Sequence, residues 1–93
     1  MVASIEVERV STAPSMDAFR VTVRDGATST EHSVSIAAPP PAVAARYPSR
    51  EAFVTACFRF LLTREPKESI LPAFEVRQIG RYFPRWEREL GPA

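Results

Sequence analysis

The chain has 93 residues, room for one domain and no second core. Apolar residues make up 45% of it and charged residues 25%, globular proportions that exclude wholesale disorder. Twelve basic against eleven acidic residues leave a net charge of +1, which is not the strongly basic balance of a dedicated polyanion binder.

The first third of the chain alternates. In ASIEVERV, residues 3–10, Ile5 and Val7 fall on one side and Glu6 and Glu8 on the other. AFRVTVR, 18–24, sets Phe19, Val21 and Val23 against Arg20, Thr22 and Arg24. TEHSVSI, 30–36, sets His32, Val34 and Ile36 against Glu31, Ser33 and Ser35. Period-two alternation rich in β-branched residues predicts half-buried strands with one wet face. DGATS after Arg24 supplies a turn, because Asp-Gly reaches positive φ readily. Pairing Val23 with His32, Val21 with Val34 and Phe19 with Ile36 gathers the apolar side chains on one face, and needs a loop longer than two residues. STAPSMD, 11–17, reads as a loose connection between the first two strands.

Three prolines at 39–41 cannot continue an internal strand and predict an extended spacer between sheet and helix. Ser49 is a good N-cap and Glu51 suits the positive end of a helix dipole, so a helix is expected from there to about Arg64, before Pro66. Its apolar arc is Phe53, Val54, Cys57, Phe58, Phe60 and Leu61. Thr55, Arg59 and Thr63 fall opposite, and Leu62 either meets a later segment or is exposed. PKESIL predicts a short helix with Pro66 in its first position and Pro72 as its stop. Val76, Ile79 and Phe83 recur at helical spacing with Gly80 as the expected terminator, and PRWEREL suits one last turn. The expected fold is α+β: a small three-stranded antiparallel sheet with one main helix and two or three short helices packed on one face. All 93 residues form one domain in this reading, with strands within 3–36, a proline-rich spacer at 37–48 and a helical part at 49–90.

Few residues point to chemistry. His32 is the only histidine, and in a strand its neighbours Glu31 and Ser33 face away from it, so TEHS is not a catalytic cluster. A hydrolase built on His32 is the third-ranked reading. Cys57 lies in the apolar arc and reads as a core residue. One histidine and one cysteine make a protein-only zinc site improbable, and Gly26, Gly80 and Gly91 stand too far apart to cradle a phosphate. Glu65, Glu68 and Glu75 flank the short helices, where charged helix ends explain them better than acid–base work does. No catalytic residue, metal or cofactor is expected. Met1 is followed by neither a basic stretch nor an apolar one, which makes the cytoplasm the expected compartment. FVTACFRFLL is too short to span a bilayer.

Charge segregation remains. Residues 1–45 hold three basic and five acidic groups, giving −2; residues 46–93 hold nine and six, giving +3. Arg77, Arg81, Arg85 and Arg88 would form a stripe on a continuous helix, which Gly80 and Pro84 interrupt. Tyr82, Phe83 and Trp86 could stack bases, but a thin core needs its aromatics for burial first. Closure of the core by Ile79, Phe83 and Tyr82 is therefore the expectation for RQIGRYFPRWERE.

FRFLLTREPKESIL followed by IGRYFP resembles a group of small uncharacterised bacterial proteins, over residues 53–84 and more loosely over FRVTVRDGATSTEHSVSI. The resemblance implies a compact bacterial domain and supplies no site. The expected function is a non-enzymatic protein-interaction or accessory module. Its partner is expected to be another protein, with nucleic acid as the alternative and no membrane. The candidate surface is the junction of Thr63–Ser69 with Arg77–Trp86: Arg64, Lys67, Arg77, Arg81, Tyr82, Arg85, Trp86 and Arg88.

Overall fold

Three ten-residue strands, β1 (Ser4–Ala13), β2 (Met16–Asp25) and β3 (Thr28–Ala37), run antiparallel in the computed structural model, which describes residues 3–93. The alternation sets their faces as expected. Phe19, Val21, Val23, His32, Val34 and Ile36 are buried, while Arg20, Arg24, Glu31 and Ser33 stay exposed. The β2–β3 register differs from the expectation by two residues. Phe19 lies opposite Val34, Val21 opposite His32 and Val23 opposite Thr30. The loop is only two residues long, because Gly26 takes φ +66 and lets Asp25 pair with Thr28. Positive φ at the first loop residue alone marks the II′ turn that suits strand twist. A slip of two residues preserves every side chain's face, so alternation cannot detect it.

STAPSMD is not a loose connection. β1 runs to Ala13, which pairs with Met16, and a bulge between Arg9 and Ser11 absorbs the extra residue. Arg9 lies before the bulge, on the Ile5 and Val7 face of β1 and opposite Phe19, which aims it toward the helix side of the sheet. Its guanidinium meets both carboxylate oxygens of Glu51 at 3.2 Å and Asp17 at 3.2 Å, and lies 4.9 Å from the Phe19 ring centroid.

After Pro39–Pro41 the chain enters a 3-10 helix, Ala42–Arg46, that buries Val43 and Ala44. The main helix, α1 (Arg50–Leu62), begins where its cap predicts, with the Ser49 hydroxyl accepting the Ala52 N–H at 3.0 Å. Seven of its thirteen residues are buried because it is covered on two sides. Phe58 faces the sheet, against His32 and Phe74. Phe53 and Phe60 face the C-terminal segment, against Trp86 and Phe83.

The sheet has a fourth strand that the alternation does not reveal. β4 (Ala73–Glu75) pairs parallel to β3, Ser33 with Ala73 and Val34 with Phe74. The sheet is therefore mixed, in the order β1-β2-β3-β4, not three-stranded and antiparallel. A parallel neighbour requires a long crossover, and α1 lies within it. Pro66 sits outside its helix as an extended cap to a 3-10 turn, Lys67–Ser69. A further 3-10 turn, Val76–Gln78, leads into α2 (Ile79–Tyr82), and α3 (Trp86–Glu89) follows. Gly80 does not end a helix. It lies inside α2, where an added Cβ would stand 3.2 Å from Trp86 Nε1, so its missing side chain makes room for the indole. Phe83 ends α2 instead, at φ −134 and ψ 83, outside the helical region that a following proline disfavours. No helix among the described residues is long and apolar enough to cross a membrane.

Candidate partner-binding cleft

Trp86, and not Phe83 or Tyr82, closes the core. It is 3% exposed, with its ring 6.3 Å from that of Phe53. Phe83 is half-buried in an edge-on contact with Phe60, and Tyr82 stands 64% exposed. Ile79 is buried as expected. Lys67 is also buried: its ammonium donates to Thr28 Oγ1 and Glu68 Oε2, both at 2.6 Å. Trp86 and Lys67 therefore offer no accessible surface to a partner.

The arginines divide into two groups. Arg64 is paired with Glu89 at 2.9 Å and lies over the Phe60 ring. Arg77 is held by Glu75 and by the carbonyls of Ala37 and Pro39. Arg81, Arg85 and Arg88 are exposed and form no ion pair among the described residues. They do not share one helix face, because the chain breaks between α2 and α3 at Phe83–Arg85.

Beside these residues an apolar cleft of about 160 Å³ opens between the C-terminal end of α1, the segment 69–71, β4 and α2. Its buried surfaces come from Leu61, Ile70, Phe74 and Ile79, and its outer parts from Glu65, Ser69, Leu71, Gln78, Tyr82 and Phe83. Leu71 and Tyr82 are two of the four large hydrophobic residues that the described chain leaves exposed.

Local bonding holds these walls in place. Segment 67–72 is stitched to β3 by the Lys67–Thr28 bond, by the Ser33 N–H on the Pro72 carbonyl at 2.8 Å, and by His32. His32 Nδ1 lies 2.8 Å from the Leu71 carbonyl, which can only accept, so Nδ1 carries the proton. Nε2 then accepts from the Thr30 hydroxyl at 2.9 Å. Both ring nitrogens are occupied and neither meets a carboxylate, so His32 acts here as a brace for the Leu71 rim. Gln78 Oε1 accepts the Glu75 N–H at 2.8 Å in a capping box, which fixes the Gln78 side chain at the cleft.

The three flanking glutamates differ in their partners. Glu68 is held ionised by the Lys67 ammonium, which lowers its pKa. Glu75 accepts from the Arg77 guanidinium and from the N–H groups of Arg77 and Ala37. Glu65, at the cleft, accepts no hydrogen bond from any described side chain or backbone N–H and joins no ion pair. No group of three or more metal-ligating side chains occurs among the described residues. Cys57 is buried in apolar surroundings that push its thiol pKa well up, leaving it inert.

The residues of this corner that stand out in the sequence are mainly the charged ones. Of the eight candidates, only Tyr82 lines the cleft. Leu61 and Ile79 were legible as apolar positions. Phe74 and Leu71 were not, because a three-residue strand carries no readable period. Compared with known proteins, the chain matches no family model, no curated sequence and no solved structure.

Proposed function

We propose that the protein is a non-enzymatic interaction module that grips a partner protein by taking one of its side chains into the cleft at Leu61, Phe74, Ile79 and Tyr82. The observation that carries this reading is the exposure of Tyr82 and Leu71, at 64% and 37%, around a preformed apolar cleft. Leaving such side chains in water is unfavourable for an isolated domain and useful at a contact surface. At about 160 Å³ the cleft is smaller than the roughly 300–1,000 Å³ typical of cofactor sites. It matches the size of cavity, about 150 Å³, that admits a single benzene ring. One anchor side chain fits; a nucleotide does not. Interfaces commonly concentrate their energy in such an anchor and its pocket.

Selection of peptides from a displayed library on the immobilised protein tests the reading. Selected peptides should share one anchor position and lose binding to Tyr82→Ala and Leu71→Asp, both rim changes that leave the melting temperature near the parent's. Peptides that bind both variants as well as they bind the parent would place the interface elsewhere.

A second reading has one specific support. Tyr82 is exposed directly after Arg81, and Arg81, Arg85 and Arg88 form no intramolecular ion pair among the described residues. This is the pairing of ring and cation that single-strand binders use. Binding to a single-stranded oligonucleotide that falls steeply with salt and is lost in Arg81→Gln/Arg85→Gln/Arg88→Gln would favour it.

A further inference from the structure

Resting on the reading of the cleft as a socket for an anchor, we propose that the anchor is a basic side chain, a lysine or arginine. Its aliphatic stem lies along Leu61, Ile79 and the aromatic rings, and its cationic head meets Glu65. The walls account for the stem, since lysine and arginine bury their methylene groups on apolar surface while keeping the charge near its partner. Glu65 accounts for the head. Among the described residues it is the only charged one lining the cleft. Neighbouring cations are engaged elsewhere: Arg64 with Glu89, Lys67 with Glu68 and Thr28, and Arg77 with Glu75. Arg59 and Arg81, the nearest remaining cations on either side in sequence, form no ion pair with Glu65.

The alternatives are disfavoured by the same carboxylate. A wholly apolar anchor would strip part of the water from Glu65 and leave it unpaired, which offsets part of the gain from burial. An acidic anchor would set like charges together. A cation instead gains a charge-assisted bond, and the rings of Phe74, Tyr82 and Phe83 that line the cleft can add cation–π attraction. The carbonyl oxygen of Gln78, held in place by Glu75, and the Ser69 hydroxyl can accept the remaining N–H groups of an ammonium or guanidinium.

The test uses small probes that share one stem. Isotope-labelled full-length protein is titrated with n-butylammonium, n-butylguanidinium, n-butanol and butyrate while backbone amide resonances are followed. The two cations should perturb Leu71, Ile79 and Tyr82 and bind about three- to fivefold tighter than n-butanol, the ratio of an exposed ion pair worth roughly 0.7–1 kcal/mol. Butyrate should bind more weakly than n-butanol. In Glu65→Gln, checked for an unchanged melting temperature, the cation preference should vanish while n-butanol binding persists. If n-butanol perturbs the same residues as tightly as the cations in the parent protein, the socket stands and the basic anchor is refuted. If cation preference survives in Glu65→Gln, the role of Glu65 is refuted. If none of the four probes perturbs the cleft, the socket itself falls.

Discussion

Trp86→Ala separates closure of the core from presentation of a recognition arm more sharply than any other change. The indole is 3% exposed, packs on Phe53 and covers Gly80, so its removal opens a void between α1 and α2 that the α1 backbone cannot fill. Deleting a buried tryptophan or phenylalanine typically costs about 3–5 kcal/mol. At roughly 0.05–0.15 kcal/mol per residue, a chain of this length has on the order of 5–14 kcal/mol in total. The loss is thus between about a fifth and all of the stability. In a domain this small each kcal/mol moves the melting temperature by about 4–8 °C, so a drop of roughly 12–40 °C is expected. Far-ultraviolet circular dichroism is the suitable assay, since Trp86 is the only tryptophan and its fluorescence disappears with it. Phe83→Ala, at a half-buried ring, should cost about 2 kcal/mol, and exposed Tyr82→Ala less than about 0.5 kcal/mol. A Trp86→Ala protein melting within a few degrees of the parent, or one more stable than Phe83→Ala, would refute this account of how the C-terminal segment closes the fold.

Val21 is fully buried between its two neighbouring strands, so Val21→Asp should prevent stable folding. Thr22, which lies opposite Glu6 on one side and Glu31 on the other, should accept lysine with little change or a small gain in chemical-denaturation midpoint. Equal midpoints for the two variants would refute the assignment of Val21 to the buried face and Thr22 to the other. Cys57 should react with a thiol reagent only as fast as the protein unfolds; rapid labelling of folded protein would show that the α1 packing is looser than described. Arg9 holds the Glu51 carboxylate, and Lys67 that of Glu68, below the ordinary glutamate pKa of 4.5. A carboxylate with a lowered folded pKa stabilises above its unfolded value and loses that contribution as pH falls through the folded one. Melting temperature should therefore be flat from neutral pH to about 5 and fall below about 4.5, less steeply in Glu51→Gln; an acid limb identical in that variant would exclude the Arg9 pair as a contributor.

Local patterns in the sequence were sufficient wherever the deciding interactions lie within a few residues. Alternation assigned residues 5–8, 19–24 and 31–36 to their faces, and Ser49 with Glu51 placed the start of α1, because pleat and cap geometry are properties of adjacent residues. Tertiary structure decided what depends on distant partners. β4 exists because three residues after Pro72 find the free edge of β3, about forty positions earlier. The register of the hairpin follows from the tight turn at Gly26, which alternation cannot distinguish from a slip of two. Gly80 ends no helix because Trp86 occupies the space above it. The cleft draws on α1, β4 and α2 together. Whether a lysine, a tryptophan or a glutamate of this charged and aromatic corner is buried, paired or left open is set by which atoms from elsewhere in the chain arrive beside it. Lys67 meets Thr28, Trp86 meets Phe53, and Glu65 meets no cation of its own chain among the described residues.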